Sequence, residues 1–420
     1  MAIHVVRADE TLWSISRMYS IPIQTIMNLN GLLGDAITPG LALYIPQQEL
    51  PIREYVVQSG DTLWSLAQSF DANIRSILSM NPVVNNDSLS VGQTLRIPSP
   101  RRVPLQTLGY IVPYDMTGSL NNFETVANHL SYLAIVAYSF TEEGWAFQLL
   151  QDAPLVSRSK QLGVRPLLMI RNLVGTNFSP ELVGTVLGDV TFRTNLITSI
   201  LNLLVQGNYE GVSIDFEFIP PPQRNDFITF LSDLKNELGT RILHVSVHAK
   251  TEDIVTNPII GAYDYYSIGK IADIVAVMTM DYGYPGGPPD PVTPLWWMAQ
   301  VIRYTSSLIN PRKVQIAIPL YGYSWKLPEN ETTSYGINSA QNLAISKGST
   351  IEFDSAAQAP YFSYWDDSIQ HFVWFEDIRS ITSKYGLVDR YNLLGVTFWQ
   401  LAFEFPQNWA YLERNIRVIR

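Results

Sequence analysis

From about residue 105 onward, apolar runs alternate with amphipathic stretches, and this alternation limits the possible folds more than any other feature. Each run has the length and the β-branched content of a buried strand, and the stretches between the runs carry apolar residues at helical spacing. Parallel strands need crossover connections, so this order predicts a parallel sheet covered by helices. Eight such units in roughly 315 residues predict an α/β fold of the (β/α)8 barrel type. The predicted strands are 108–112, 133–140, 165–170, 211–218, 243–248, 274–280, 313–320 and 394–401.

The interval between the seventh and eighth predicted strands, residues 324–374, is longer than a crossover helix requires. It contains short runs rich in tyrosine, phenylalanine and tryptophan, which are typical of strands. We therefore predict a small antiparallel insert at this point of the barrel.

An internal repeat precedes the barrel. Thr11 and Trp13 recur 51 residues later as Thr62 and Trp64, inside closely similar segments. Within each copy a β-rich start is followed by two short helical patterns and a final apolar strand, which predicts a βααβ unit. We divide the chain into a first module at 1–48, a second at 53–99, a proline-rich linker at 100–107 and the barrel at 108–420.

Both copies resemble LysM modules, the second most closely, through its segment Ser-Gly-Asp-Thr-Leu-Trp at 59–64. The first copy differs by having Ala-Asp-Glu at 8–10. The resemblance implies binding to glycans that contain N-acetylglucosamine, such as peptidoglycan or chitin. We interpret Trp13 and Trp64 as module core and expect the sugar contacts on the loops before the first helices and on the turn after each second helix. The candidate loop residues are Asp9, Thr11, Gly60, Asp61 and Thr62.

The fourth predicted strand sets polar residues in strict alternation with apolar ones. Ser213, Asp215 and Glu217 share one face, because side chains two apart on a strand point the same way. A half-exposed antiparallel strand would keep these acids in water. In a barrel they face the interior, where burying carboxylates is costly unless they are used, and barrel active sites lie at the carboxyl ends of the strands. The barrel prediction therefore favours a catalytic strand.

This segment, Glu-Gly-Val-Ser-Ile-Asp-Phe-Glu at 210–217, resembles the signature of family 18 glycoside hydrolases. The resemblance implies that Glu217 is the proton donor and that Asp215 orients the acetamido group of the substrate. It also implies substrate-assisted retaining hydrolysis without a metal or another cofactor. This mechanism differs from the usual scheme with two carboxylates.

The resemblance extends to other strands, with departures. Ser213 stands where the family has its innermost aspartate, and Met280 stands where a tyrosine hydroxyl normally reaches the acetamido carbonyl. Asp281 is retained, and Tyr282 or Tyr284 could supply the missing hydroxyl. Trp399 matches the tryptophan that floors the sugar subsite, and Tyr321 is a further candidate for substrate binding. We assign His244 and His248 structural or pocket-lining roles, since four residues of strand separate them too widely for one metal ion.

Several segments resemble the spore cortex-lytic branch of the family, among them 285–294, 319–328, 374–380 and 405–409. That resemblance implies an N-acetylglucosaminidase that acts on spore peptidoglycan. The alternatives are a lectin-like barrel that binds amino-sugar glycans without turnover, and a chitinase.

Composition limits the partners and the location. The net charge of −10 argues against nucleic acid, and no run is long enough to insert into a membrane. The first residues show neither the basic nor the apolar region of a signal peptide. The missing signal peptide fits the resemblance to cortex-lytic enzymes, which implies a protein made in the mother cell and deposited on the spore. We expect a monomer.

Overall fold

The computed structural model describes residues 2–46, 50–84 and 89–420 of the 420-residue chain. Its N-terminal part consists of two modules, each with two helices beside a two-stranded antiparallel sheet, which confirms the predicted βααβ order. The first module contains β1 (Ala2–Val5), α1 (Leu12–Tyr19), α2 (Ile23–Asn30) and β2 (Ala42–Ile45). The second contains β3 (Ile52–Val56), α3 (Leu63–Phe70), α4 (Ile74–Met80) and β4 (Thr94–Pro98). The predicted end of the first module, at residue 48, lies outside the described residues.

The two module tryptophans are on the surface, so the prediction that they form module core was wrong. Trp13 and Trp64 are each 67% exposed. Each is the second residue of its helix, and its side chain points about 100° around the helix axis from the first residue, which is on the face that packs inward. In the first module that inward face carries Leu12 and Ile15, which are buried.

The C-terminal part is a closed parallel barrel with helices outside, as predicted. Eight strands pair in the order β5, β6, β8, β11, β12, β13, β14 and β20, and β20 pairs with β5 to close the ring. None of the described helices is long and apolar enough to cross a membrane. The elements up to the fourth barrel strand are β5 (Val103–Ile111), α5 (Met116–Val126), β6 (Tyr132–Phe140), β7 (Ala146–Gln148), α6 (Ala153–Gln161), β8 (Arg165–Arg171), β9 (Leu173–Val174), β10 (Asn177–Phe178), α7 (Pro180–Gly188), α8 (Val190–Gln206) and β11 (Gly211–Asp215). The remaining elements are α9 (Arg224–Leu238), β12 (Ile242–His248), α10 (Tyr265–Ile271), β13 (Ile274–Met278), α11 (Leu295–Leu308), β14 (Val314–Pro319), β15 (Tyr321–Leu327), β16 (Glu331–Gly336), α12 (Ile337–Ser346), β17 (Glu352–Asp354), β18 (Ala359–Asp366), β19 (Ile369–Trp374), α13 (Ile378–Arg390), β20 (Gly395–Trp399), α14 (Pro406–Asn415) and β21 (Ile416–Val418).

Each barrel strand lies where it was predicted, and the first and fourth differ most from their predicted bounds. The first begins at Val103, so that residues 103–107, expected to be linker, belong to the strand. These residues have a partner that sequence pattern did not indicate, because the short C-terminal strand β21 pairs with Val103–Leu105 in parallel. The fourth strand ends at Asp215 instead of continuing to 218, so that Glu217 lies just beyond its carboxyl end.

The predicted antiparallel insert is present between β14 and β20. It is a five-stranded sheet in the order β16, β15, β19, β18 and β17, with α12 beside it. Its aromatic side chains form a separate buried cluster that includes Tyr323, Trp325 and Trp374. The insert therefore has its own small core and begins at the carboxyl end of β14.

Both modules contact the barrel. The first packs on α12 and α14, where Gln341 Nε2 donates to the backbone oxygen of Asn30 at 2.8 Å. The second is joined to α13 by a bidentate pairing of Arg53 with Asp389. The two modules thus share a fold but are attached by different faces and by different chemistry.

Candidate active site

A cavity of about 620 Å³ opens at the carboxyl ends of the barrel strands. This volume is in the range of small-molecule sites. Its wall is mostly apolar and aromatic, with a few charged groups that converge on it. The lining residues with polar or aromatic side chains are Tyr110, Arg171, Phe178, Asp215, Glu217, Phe218, Ser246, His248, Asp281, Tyr284, Trp297, Thr397 and Trp399.

The fourth strand supplies the two central carboxylates. Asp215 is the last residue of β11 and is only 4% exposed. The alternate residues point to the helix layer, where Phe216 packs on Phe140 and Phe230 at ring separations of 5.2 and 5.6 Å. Outward packing of these rings therefore directs Asp215 and Glu217 into the cavity, where both line the wall.

The backbone of Glu217 is fixed by Asn172, which follows the third barrel strand. The Glu217 amide donates to Asn172 Oδ1 at 2.9 Å, and Asn172 Nδ2 donates to the Glu217 carbonyl oxygen at 2.9 Å. The preceding carbonyl, that of Phe216, accepts from the Tyr263 hydroxyl at 2.7 Å. These bonds replace the strand ladder that ends at Asp215 and hold the loop that carries Glu217.

The side chain of Glu217 lies beside a histidine. The distance from its Oε2 to His248 Nε2 is 3.2 Å. His248 is the last residue of β12 and lines the cavity, which agrees with one of the two roles expected for it. The carboxylate of Glu217 thus has a titratable neighbour on the next strand as well as Asp215 on its own.

Asp215 has a strongly perturbed ionisation. Burial, together with the nearby charge of Glu217, raises its pKa to about 8, while Arg171 acts in the opposite direction. Burial lowers the pKa of Arg171, and the charges of Asp215 and Glu217 raise it. Asp215 therefore keeps its proton at neutral pH, and Arg171 limits how strongly that proton is held.

Ser213 lies beneath Asp215 and does not line the cavity. Its Oγ is 2.9 Å from His244 Nδ1, and the two share a hydrogen bond inside the barrel. Burial lowers the pKa of His244 to about 3, so its imidazole is neutral. Below Asp215 there is thus a neutral Ser–His contact where the family has an aspartate.

Asp281 faces the carboxylate pair from the end of the sixth strand. It accepts hydrogen bonds from the Tyr321 hydroxyl at 2.7 Å and the Tyr323 hydroxyl at 2.9 Å. Burial raises the pKa of Asp281, and these two hydrogen bonds lower it. Tyr321, a candidate for substrate binding, is not part of the cavity wall and instead orients Asp281.

The tyrosine that could replace the missing family hydroxyl is Tyr284. Tyr284 and Met280 line the cavity. Tyr282 does not, because its ring packs on Trp296 and Trp297 at 5.2 and 5.5 Å. Trp399, at the end of the last strand, lines the cavity and contacts the Tyr110 ring at 5.4 Å.

The residues of the site that were not singled out from the sequence include Tyr110, Arg171, Asn172 and Tyr263. Arg171 and Asn172 follow the apolar run of the third strand. The rule that drew attention to Glu217, a polar residue at the carboxyl end of a barrel strand, applies equally to them. Tyr110 and Tyr263 gave no comparable signal, because each lies within an otherwise apolar segment.

The candidate glycan residues of the modules lie on loops far from this cavity. The Thr11 and Thr62 hydroxyls accept from the Ser14 and Ser65 amides at 3.1 and 3.0 Å and so cap the first helices. The Asp61 carboxylate accepts from the Tyr55 hydroxyl and the Gln58 amide, whereas Asp9 and Gly60 adopt positive φ angles. These residues therefore shape the loops, whatever the loops bind.

Comparison with known proteins gives matches for both parts of the chain. Residues 107–404 match the glycosyl hydrolases family 18, and residues 4–46 and 55–98 each match the LysM domain. The cortical fragment-lytic enzyme of Bacillus anthracis is 31% identical over 335 residues, which is 78% of this chain and 78% of that protein. The enzyme of the same name from Bacillus subtilis (strain 168) is 30% identical over 87% of this chain and 98% of its own length.

The similarity extends to solved structures. The crystal structure of the Bacillus cereus spore cortex-lytic enzyme SleL superposes with a TM-score of 0.87 at 29% identity. The superposition covers 100% of this chain and 98% of that one. The arrangement of modules and barrel is therefore shared over the whole length of both proteins.

Proposed function

The chain belongs to family 18 of the glycosyl hydrolases and carries two LysM domains, and from this premise we propose that it hydrolyses spore-cortex peptidoglycan. The bond cleaved is the β-1,4 bond on the reducing side of N-acetylglucosamine. The relatives named for action on cortical fragments and on spore cortex support this substrate. The LysM modules support a polymeric glycan over a small soluble one.

One observation carries the chemical part of the proposal. Glu217 lines the cavity next to Asp215, and Asp215 carries a proton at neutral pH because its pKa is raised to about 8. Transfer of that proton to Glu217 as the substrate binds leaves the Asp215 carboxylate free to accept from the acetamido N–H. A general acid needs a proton at the operating pH and a fixed position near the leaving atom. The paired bonds from Asn172 supply the position.

The proposed reaction has two steps. In the first, the acetamido oxygen of the substrate attacks C1, the bond from C1 to the bridging oxygen breaks, and Glu217 gives its proton to that oxygen. Asp215 accepts a hydrogen bond from the acetamido N–H and stabilises the positive charge of the cyclic oxazolinium. In the second, water attacks C1 and returns a proton to Glu217, so that N-acetylglucosamine leaves with its configuration retained.

The remaining wall residues have roles in binding. Trp399 offers an aromatic face for the sugar ring at the floor of the cavity. Asp281, held by two tyrosine hydroxyls, presents a fixed acceptor for a sugar hydroxyl. Tyr284 supplies the hydroxyl for the acetamido carbonyl that Met280 cannot provide.

The setting of the enzyme follows from its relatives and its charge. We place it in the spore, where the relatives act according to their names, after synthesis in the mother cell. It acts there as a monomer and without nucleic acid, which the net charge of −10 disfavours as a partner. Tethering by a module raises the effective concentration of glycan at the cavity.

A direct assay tests the proposal. The enzyme and its Glu217→Gln variant are incubated with cortex muropeptides and with chitin oligomers, and products are identified by mass spectrometry. We expect cleavage of muropeptides after N-acetylglucosamine, reduced about 100- to 10,000-fold in the variant. No product from either substrate would show a binding protein without turnover. Release from chitin alone would show a chitinase, and equal activity of the variant would remove Glu217 from its role.

A further inference from the structure

The two LysM modules form an internal matched pair, since the turn after the second helix ends in the same way in both. The Gly40 amide donates to the Val6 oxygen at 2.8 Å, and the Gly92 amide donates to the Val57 oxygen at 2.8 Å. Both glycines have similar positive φ angles, +83° and +87°. A difference in exposure at these two glycines therefore arises from what surrounds each module.

In the first module this turn is covered by the barrel insert. The Thr38 hydroxyl donates to the Ser349 oxygen at 2.7 Å, and the Ile351 amide donates to the Pro39 oxygen at 2.9 Å. The approach is so close that a Cβ added to Gly40 would lie 1.8 Å from the Ile351 oxygen. The part of the turn that follows its tip is thus an interface with the barrel and is closed to a ligand.

In the second module the same part of the turn is open. Ser90, Val91 and Gly92 occupy the places of Thr38, Pro39 and Gly40, and all three are exposed. Among the described residues, no atom lies within 4 Å of a Cβ added to Gly92. Val91 is 69% exposed, and Val83, at the start of the turn, is 86% exposed. The exposed side chains of Val83 and Val91 therefore form apolar surface next to the exposed loop 58–60, and this surface is available for a ligand.

The second module is attached to the barrel through its sheet and not through its turn. Arg53 and Glu54 of β3 pair with Asp389 and Arg390 of α13. This attachment leaves the Gly60–Thr62 loop and the 90–92 turn on the outside. The barrel therefore occupies different faces of the two modules.

We propose that the second module alone holds the glycan, at a site between the 60–62 loop and the 90–92 turn, and that the first module serves as a fixed brace for the barrel. The ligand is a β-1,4-linked glycan containing N-acetylglucosamine. This inference rests on the proposed function, because it assigns to one module the tethering that the function requires.

Two matched double variants test whether the second module alone binds glycan. Both are made in the whole chain carrying Glu217→Gln, so that the insoluble peptidoglycan is not hydrolysed during the binding measurement. Trp64→Ala with Val91→Glu alters the second module. Trp13→Ala with Leu33→Glu alters positions of the first module that are at least as exposed, since Trp13 is 67% and Leu33 is 85% exposed. Retention is measured as the bound fraction on protein-free insoluble peptidoglycan, with cellulose as the blank.

We expect the second-module variant to bind about tenfold more weakly and the first-module variant to bind like its parent. Equal loss in both variants, or loss in the first-module variant alone, would overturn the assignment. If the parent itself is not retained above the cellulose blank, tethering fails and this inference fails with it. Hydrolysis of soluble muropeptides by the unaltered enzyme then still reports separately on the proposed catalytic function.

The proposal that the first module braces the barrel is tested at the two equivalent glycines, Gly40 and Gly92. Gly40→Ala and Gly92→Ala introduce the same strain at similar φ angles, but only the first forces an atom into the barrel. We expect Gly40→Ala to lower the temperature at which muropeptide hydrolysis is lost on heating by several degrees, and Gly92→Ala to leave it unchanged. The same inactivation temperature for both variants would show that the first module does not brace the barrel.

Discussion

Asn172 and Glu217 exchange two hydrogen bonds of 2.9 Å each between neighbouring barrel strands, backbone amide to side-chain oxygen and side-chain amide to backbone oxygen. The buried amide side chain of Asn172 replaces a missing piece of strand ladder. Because the bonds involve the backbone of Glu217, its carboxylate stays free for chemistry while its position is fixed.

Replacing Asn172 by alanine should therefore reduce turnover without removing a reacting group. We expect kcat to fall on the order of 100-fold with KM nearly unchanged, because a small displacement of a general acid is enough for such a loss. Steady-state kinetics on soluble muropeptides measures the effect, and Asn121→Ala, on the exposed side of α5, is the control. A rise in KM alone would contradict a positioning role.

Asp215 should make the folded barrel less stable as pH rises. The unfolded chain ionises this group near the ordinary value of 3.8, whereas the folded state keeps its proton until about pH 8. Protonation of Asp215 thus makes its full contribution to the free energy of unfolding below pH 3.8. That contribution is lost as the pH rises from 3.8 to about 8, at up to about 1.4 kcal/mol per pH unit.

The Asp215→Asn variant cannot ionise, so its stability relative to the unaltered enzyme should grow from pH 4 to 8 and stay constant above. Urea unfolding of the barrel over that range measures the difference. Asp233→Asn, at an exposed position of α9, should show no such trend. If the difference in free energy of unfolding between Asp215→Asn and the unaltered enzyme does not change with pH, the pKa of Asp215 is not raised.

Arg171 should set the alkaline limit of activity. Its charge lowers the pKa of Asp215, which burial and Glu217 raise. In an Arg171→Gln variant Asp215 should hold its proton to higher pH, and the alkaline limb of kcat/KM that follows loss of this proton should move upward from about 8.

The control for this prediction lies on the same strand. Arg165 begins β8 and packs on the Tyr132 ring at the other end of the barrel, so Arg165→Gln removes the same charge far from the site. An equal shift of the alkaline limb in both variants would mean that the change in the protein's net charge, and not the position of Arg171, causes it. A downward shift in Arg171→Gln would refute the electrostatic role.

Tyr284 and Tyr282 offer a matched test of the replacement hydroxyl. Only Tyr284 lines the cavity, whereas the Tyr282 ring packs on two tryptophans. We expect Tyr284→Phe to lower kcat/KM about tenfold, the value of one hydrogen bond, and Tyr282→Phe to leave it unchanged. The reverse result would place the hydroxyl on Tyr282 and require the loop to rearrange on substrate binding.

Much of the site could be predicted because it follows from local pattern. The alternation at 211–217 directs Ser213 and Asp215 inward once the strand is placed in a barrel, and the eight apolar runs place it there. The same pattern could not show that Tyr321 orients Asp281 while Tyr282 turns away. Those orientations depend on how the insert and α11 pack, and the spacing of residues along one strand does not predict that packing.

The amino-acid sequence by itself determined the order of modules and barrel strands and the inward direction of the carboxylates. Strand alternation and helical period act over a few residues, so they can be read directly from the chain. Only the tertiary structure decided that Asn172 fixes Glu217 and that the barrel covers the turn of the first module but not that of the second. Such contacts join segments up to about three hundred residues apart, and their geometry exists only after the whole barrel has closed.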